Sequence, residues 1–175
     1  MDRCALLVGI LLANASPAFA ADPATNHAAG PPAPTPTFVA MATYGNLLEI
    51  QSSELVLRRS KSNAVRDFAN RMVTDHNAAA AKLKQAVADA KLTPPAEKLD
   101  AEHRAILDAL KAKNGASFDR AYIETQYNAH VETVALFRTY AKGGENARIK
   151  AFAADVLPTL QGHLDHVTKM RNATQ

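Results

Sequence analysis

Apolar side chains recur at intervals of three and four through four long stretches of this chain, the spacing that lines one face of an α-helix. The first stretch, about 37–61, sets Phe38, Met41/Ala42, Leu48 and Leu55/Val56 on one face with Gly45 and Ser52 among them. The second, about 63–91, carries Val65, Ala69, Met72, Ala79/Ala80, Leu83 and Val87. A third long stripe over about 117–142 runs through Ile123, Gln126/Tyr127, Val134, Phe137 and Ala141, and a last one over about 146–172 through Ile149, Phe152/Ala153, Val156, Leu160, Leu164, Val167 and Met170. Between the second and third long stripes lies a shorter one, about 96–113, with Leu99, Ile106, Leu107 and Leu110.

The breaks between these stretches are chemically distinct. Ser62 is placed to cap the second helix. Thr93-Pro94-Pro95 ends that region, because proline lacks the N–H and restricts the residue before it. Asn114-Gly115 and Gly143-Gly144 close the third and fourth helices. Pro158 inside the last removes one backbone bond and predicts a bend. Arg58–Ala69 resembles Arg138–Ala153: a helix end, a polar turn, then a branched aliphatic residue, a basic residue, a spacer, Phe and Ala. The pattern predicts two similar helical hairpins joined by a crossover, an all-α four-helix bundle with a short crossover helix between the second and third long helices. Composition points the same way. Alanine is abundant, tryptophan is absent and aromatic residues make up 6% of the chain, which suits packed helices and leaves little material for strands.

The amino-terminal 36 residues stand apart. Arg3, the apolar run Ala5–Ala13 and the small-bulky-small triplet Ala18-Phe19-Ala20 predict a signal peptide over residues 1–20, cleaved after Ala20. The run is too short for a stable membrane anchor, which takes about 20 residues. Cys4, the single cysteine, leaves with it, so the mature chain has no disulfide. Residues 21–36, rich in proline, alanine and threonine, read as a disordered tether, and 37–172 as the bundle. The net charge of +3 is spread out, and no basic run alternates with aromatics, so nucleic acid is not an expected partner.

Three histidines interrupt the apolar stripes. His76, His130 and His163 each take a seam position on a different long helix, and Glu49 does so on the first, with Glu54 as a substitute. Burying an imidazole bare costs a few kcal/mol, so each needs a hydrogen-bond partner, a metal or a pocket. Converging at one level, they form a set suited to one transition-metal ion such as zinc, copper or iron. Asp75, Asp119, Tyr122 and Gln126 are candidates to orient the rings. The Glu-x-x-His pairs of di-iron bundles are missing, since Val73, Tyr127 and Leu160 stand three residues before the histidines. The alternative is a metal-free hydrogen-bonded network in a non-catalytic structural or interaction protein. A redox enzyme using Tyr122 or Tyr127 is a third reading. No phosphate loop or nucleophile elbow is present, and the sequence names no protein partner.

The runs FVAMATYGNLLEIQSSELVLRRSKSNAVRDFANRMVTDHNAAAAKL, SFDRAYIETQYNAHVETVALF and KAFAADVLPTLQGHL resemble a bacterial family of exported proteins, domain of unknown function 4142, over about Phe38–Met170. The resemblance is carried by Glu49, by the stretch ending in Asp75-His76, by Phe118-Asp119 and Tyr122, by His130 and by the stretch ending at His163. It implies a ferritin-like bundle located in the periplasm or at the outer membrane, and it implies no reaction. Taken with the histidines, it leads to the expectation of an envelope protein that handles metal or protects against stress.

Overall fold

The computed structural model describes residues 30–174, so the expected signal peptide and residues 21–29 of the expected tether lie outside it. Five helices follow in order: α1 (Thr35–Arg59), α2 (Asn63–Asp89), α3 (Ala101–Lys111), α4 (Gly115–Gly143) and α5 (Ala147–Asn172). Among the described residues there is no strand. The four long helices pack as a ring, α1 on α2, α2 on α5, α5 on α4 and α4 on α1, while α3 lies outside against α1 and α4. None of the described helices is long and apolar enough to cross a membrane.

The two hairpin turns are alike in chemistry as well as sequence. Ser62 accepts from Val65 N at the start of α2, and Asn146 accepts from Arg148 N and Ile149 N at the start of α5. Each side chain satisfies backbone donors that have no partner inside the helix.

Every helix bound except the start of α3 falls within two residues of the sequence reading, and the shifted starts of α1 and α3 have a visible cause. α1 begins at Thr35, not at 37, because the end of the expected tether is fastened down. Thr35 Oγ1 lies 2.6 Å from Tyr140 Oη and donates to Glu145 Oε1 at 3.0 Å, and Thr35 N donates to the same carboxylate at 3.2 Å. Pro36 sits in the first turn, where its missing N–H costs nothing. α3 begins at Ala101, not at 96. Asp100 caps it by accepting from His103 N at 2.9 Å, and Leu99 just before is buried with Leu48 and Leu107, which holds the chain in a non-helical approach.

The core has two apolar halves. One gathers Phe38, Leu83, Val87, Phe137, Tyr140 and Ile149, among others. The other gathers Val56, Phe68, Met72, Phe118, Tyr122 and Val167. On every long helix the residues between these groups include buried polar ones: Glu49, Ser52 and Ser53 on α1, His76 on α2, Gln126 and His130 on α4, His163 on α5. A polar layer therefore divides the bundle.

The end of the first half is braced by Tyr140, whose ring stacks on Phe38 with centroids 4.0 Å apart. Gly144 ends α4 beside it with φ −57°, a value open to any residue, so left-handed backbone is not what favours glycine here. A Cβ at Gly144 would lie 2.5 Å from Tyr140 Cδ1 and 2.7 Å from Cζ, and that ring is pinned by Phe38 and Thr35. Gly144→Ala should thus destabilise the fold by about 1–3 kcal/mol through overpacking. Gly143→Ala, whose Cβ would meet only Pro32 at 3.4 Å, should change stability by less than about 1 kcal/mol. Urea unfolding followed by circular dichroism measures both, and equal effects would refute the ring as the cause.

Candidate metal centre

The polar layer is built by registration of antiparallel helices. α1 and α5 run one way and α2 and α4 the other, since the start of α1 meets the end of α4 and Lys82 of α2 meets Asp155 of α5, so seam positions near the middle of each helix meet at a common height. Three of these are histidines. The ring centroids of His76, His130 and His163 lie 5.7, 5.3 and 5.4 Å apart, and none of the three residues is more than 2% exposed. One nitrogen of each ring lies within 4.8 Å of those offered by the other two. Some point lies within about 2.8 Å of all three such nitrogens, so inward movements of about 0.7 Å or less reach the imidazole bond length of a zinc-type ion.

Each ring is held by an oxygen on its other nitrogen. His130 Nδ1 donates to the main-chain carbonyl of Gln126 at 2.8 Å. His163 Nε2 donates to Asp75 Oδ2 at 2.8 Å. His76 Nδ1 faces two oxygens, Asn46 Oδ1 at 2.9 Å and Glu49 Oε2 at 3.1 Å. A nitrogen set against acceptors carries the proton, so the lone pairs fall on His76 Nε2, His130 Nε2 and His163 Nδ1. These three atoms are buried and have no hydrogen-bond partner. An orienting acceptor behind each imidazole and a free lone pair in front is the arrangement that metal-ligating histidines adopt. The residues present therefore fit an ion with imidazole preference.

Burial sets the protonation of the site. His76 is held well below the usual imidazole range by desolvation and by its two histidine neighbours. Desolvation lowers His130 to about 4, against a smaller opposing pull from the Gln126 carbonyl. His163 is also lowered by desolvation, partly offset by Asp75. Desolvation raises Glu49 to about 8. The contacts between Glu49 and His76 and His130 thus have the geometry of ion pairs but join neutral groups at neutral pH.

The other candidates from the sequence divide. Glu49 reaches the layer, 1% exposed, but its oxygens meet the Nδ1 atoms of His76 and His130, behind the rings, and not the free lone pairs. Glu54 points to solvent. Asp75 holds His163. Gln126 serves His130 with its backbone, while its side-chain amide donates to Ser52 Oγ at 2.9 Å. Tyr122 bonds Ser53 Oγ at 2.8 Å, so its hydroxyl is engaged by α1 and not by a histidine of the layer. Asp119 is eleven residues before His130 on α4, about 16 Å along the axis, and does not reach the rings. Asn46 was not legible as a site residue. Its only sequence signal is its place three before Glu49, one helical turn away.

Two small cavities reach the layer. One of ≈ 20 Å³ is lined in part by Met41, Asn46, Glu49, His76, Ala80 and Thr133. The other, ≈ 30 Å³ and between α2 and α5, is lined in part by Asp75, His76, Ala79, Thr159, Leu160 and His163. Each has room for about one water or ion. Neither approaches the several hundred Å³ of an organic ligand site.

Comparison with known proteins agrees with the architecture. The chain resembles a solved structure described as CopM in the Cu(II)-bound form, with a TM-score of 0.69 and 17% identity, covering 82% of this chain and 99% of that one. It also resembles a DUF305 fragment from Deinococcus radiodurans, with a TM-score of 0.64 and 18% identity over the same shares. No curated protein matches it significantly in sequence. The family model for the domain of unknown function DUF4142 matches residues 20–170, nearly the whole bundle and its approach, and the chain belongs to that family.

Proposed function

We propose that this chain binds one transition-metal ion between His76 Nε2, His130 Nε2 and His163 Nδ1, and that it serves as a metal-binding protein of the cell envelope. The observation that carries the reading is the set of three buried, unpartnered nitrogens, each opposite a nitrogen already fixed by an oxygen. A hydrogen-bonded network complete in itself would leave none of them bare, since an unsatisfied buried polar group costs about 1–3 kcal/mol. Neutral imidazoles are the form that ligates, and burial keeps them neutral.

Copper(II) is the favoured ion. It heads the affinity order of divalent first-row metals for nitrogen sites, and a bundle of the same fold is known in a Cu(II)-bound form. Three protein ligands leave a fourth position for water, and the ion would supply a site for ligand exchange there. Placement in the envelope is supported by the signal peptide expected over residues 1–20 and by the resemblance to exported proteins. Handling or sequestering a metal ion fits the ion-sized cavities.

The direct test is elemental analysis of the purified protein after incubation with Cu(II) and, separately, Zn(II). One equivalent per chain should bind, and His76→Ala and His163→Ala should each lose it while keeping the helical circular dichroism. Retention of one equivalent by both variants would sink the site. Glu49→Gln should retain the ion with affinity weakened by about 10–100-fold, as expected of a group that acts behind the ligands.

The metal-free protein has a defined pH dependence. Unfolded histidine, near 6.5, takes up protons below that value while the buried rings resist to lower pH, so stability falls as pH drops from 6.5 toward about 4. Glu49 works in the other sense. It stays protonated in the fold up to about 8 although the unfolded group ionises at 4.5, so stability falls as pH rises between those values. The maximum should lie near pH 6.5. Glu49→Gln should flatten the decline from about 6.5 to 8 and leave stability near pH 5 almost unchanged, measured by urea titration in the presence of a chelator.

A further inference from the structure

We propose that the ion enters and leaves through the crevice between α2 and α5, and that the Asp75 carboxylate and the Arg71 guanidinium at its mouth set the rate of passage. The inference rests on the metal-binding reading above. A centre whose three rings are at most 2% exposed needs a route to solvent, and two cavities approach it.

The two differ in chemistry. Toward α1 the mouth is formed by Met41, Ala80 and Thr133, all uncharged, and Glu49 inside is fully buried with no face to solvent. Between α2 and α5 the lining includes Asp75, whose side chain is 30% exposed although its Oδ2 touches His163 Nε2 at 2.8 Å. One carboxylate thus extends from solvent to a ring of the centre. A cation leaving water loses hydration, and a fixed negative group along the way offsets part of that loss. Arg71 is 53% exposed and its Nε lies 3.4 Å from the same Asp75 oxygen, so it places an opposing charge at the entrance.

The wall of this crevice also includes a turn of α5 that lacks one backbone hydrogen bond. Pro158 has no N–H to give the carbonyl of Ala154, and it lies beside Thr159, an exposed residue of the lining. A turn short of one hydrogen bond opens at lower cost than an intact one, and this one stands next to the lining residues Thr159 and Leu160. The sequence feature that first reads as a bend in a helix is here part of the route.

The test uses the full-length protein and aqueous Cu(II), with capture followed by stopped flow and release followed into excess EDTA. Thr159→Phe should slow both capture and release by about tenfold or more while Kd stays within about twofold, because a plug changes a barrier and not the end states. Arg71→Gln should speed capture about threefold, the effect shrinking at high salt, since it removes a positive charge from the path of a cation. Ala80→Leu, in the other cavity, should leave both rates within about twofold of the parent. Thr159 and Arg71 are exposed, so their variants are expected to fold, and circular dichroism checks this. Unchanged rates in Thr159→Phe and Arg71→Gln, or slowing in Ala80→Leu in their place, overturn the route while leaving the site intact. Failure of the parent to take up Cu(II) at all removes the site and the route together, and the parent's own stoichiometry tells that case apart.

Discussion

A bundle of four amphipathic helices is stable when every inward position is apolar, and here each long helix gives up at least one such position at the same height. Glu49 and Ser52, His76, Gln126 and His130, and His163 make a buried polar layer between two apolar clusters. Polar atoms in such a place must find partners or cost free energy. Most do: Ser52 accepts from Gln126, and one nitrogen of each histidine meets an oxygen. The atoms left over include the three imidazole lone pairs and Glu49 Oε1. The rest of the structure works to hold that layer level. The apolar clusters fix spacing on either side, and end contacts fix the helices lengthwise. Thr35 is tied to Tyr140 and Glu145 at one end, and Arg59 lies over Phe118 with its guanidinium on the carbonyls before α4 at the other.

Burial and charge act together in the layer. Removing water lowers the histidines and raises Glu49, so the groups settle as neutral imidazoles and a neutral carboxyl, with no net charge to bury. Asp75 differs because it stands at the edge, part-exposed, where it keeps hydration on one side and holds His163 on the other. The acceptors behind the rings are of three kinds: an amide with a carboxyl, a backbone carbonyl and a carboxylate. They have one effect, which is to fix the tautomer and aim the lone pair. The geometry suits a single ion. A carboxylate-bridged pair of ions would need acids one turn before the histidines, and Val73, Tyr127 and Leu160 occupy those places.

Much of the fold was legible in the chain because helix faces are local. The three-and-four spacing located the four long helices, the cap Ser62 and the glycines at 143–144 located ends of two of them, and the paired Pro94-Pro95 marked the crossover. The misses were also physical. α1 starts two residues early because Glu145, 110 positions away, fastens Thr35. α3 starts late because Leu99 is buried before the Asp100 cap. Gly144 looked like a conformational stop and is in fact the space taken by an aromatic ring.

The same division runs through the site. Sequence by itself determined that His76, His130 and His163 lie on the buried faces of three helices and Glu49 on that of a fourth, because the angle of a side chain about its helix axis follows from residue number alone. Height along the axis does not, since sliding one helix past another by a turn keeps every face buried. Only the tertiary structure decided that the four positions share one level, that Glu49 stands behind the rings, that Asp119 and Tyr122 fall elsewhere, and that Asn46 belongs. It also decided which nitrogen of each ring is free, because a tautomer is set by the neighbour across the helix interface, and that neighbour is distant in the chain for His76 and His163.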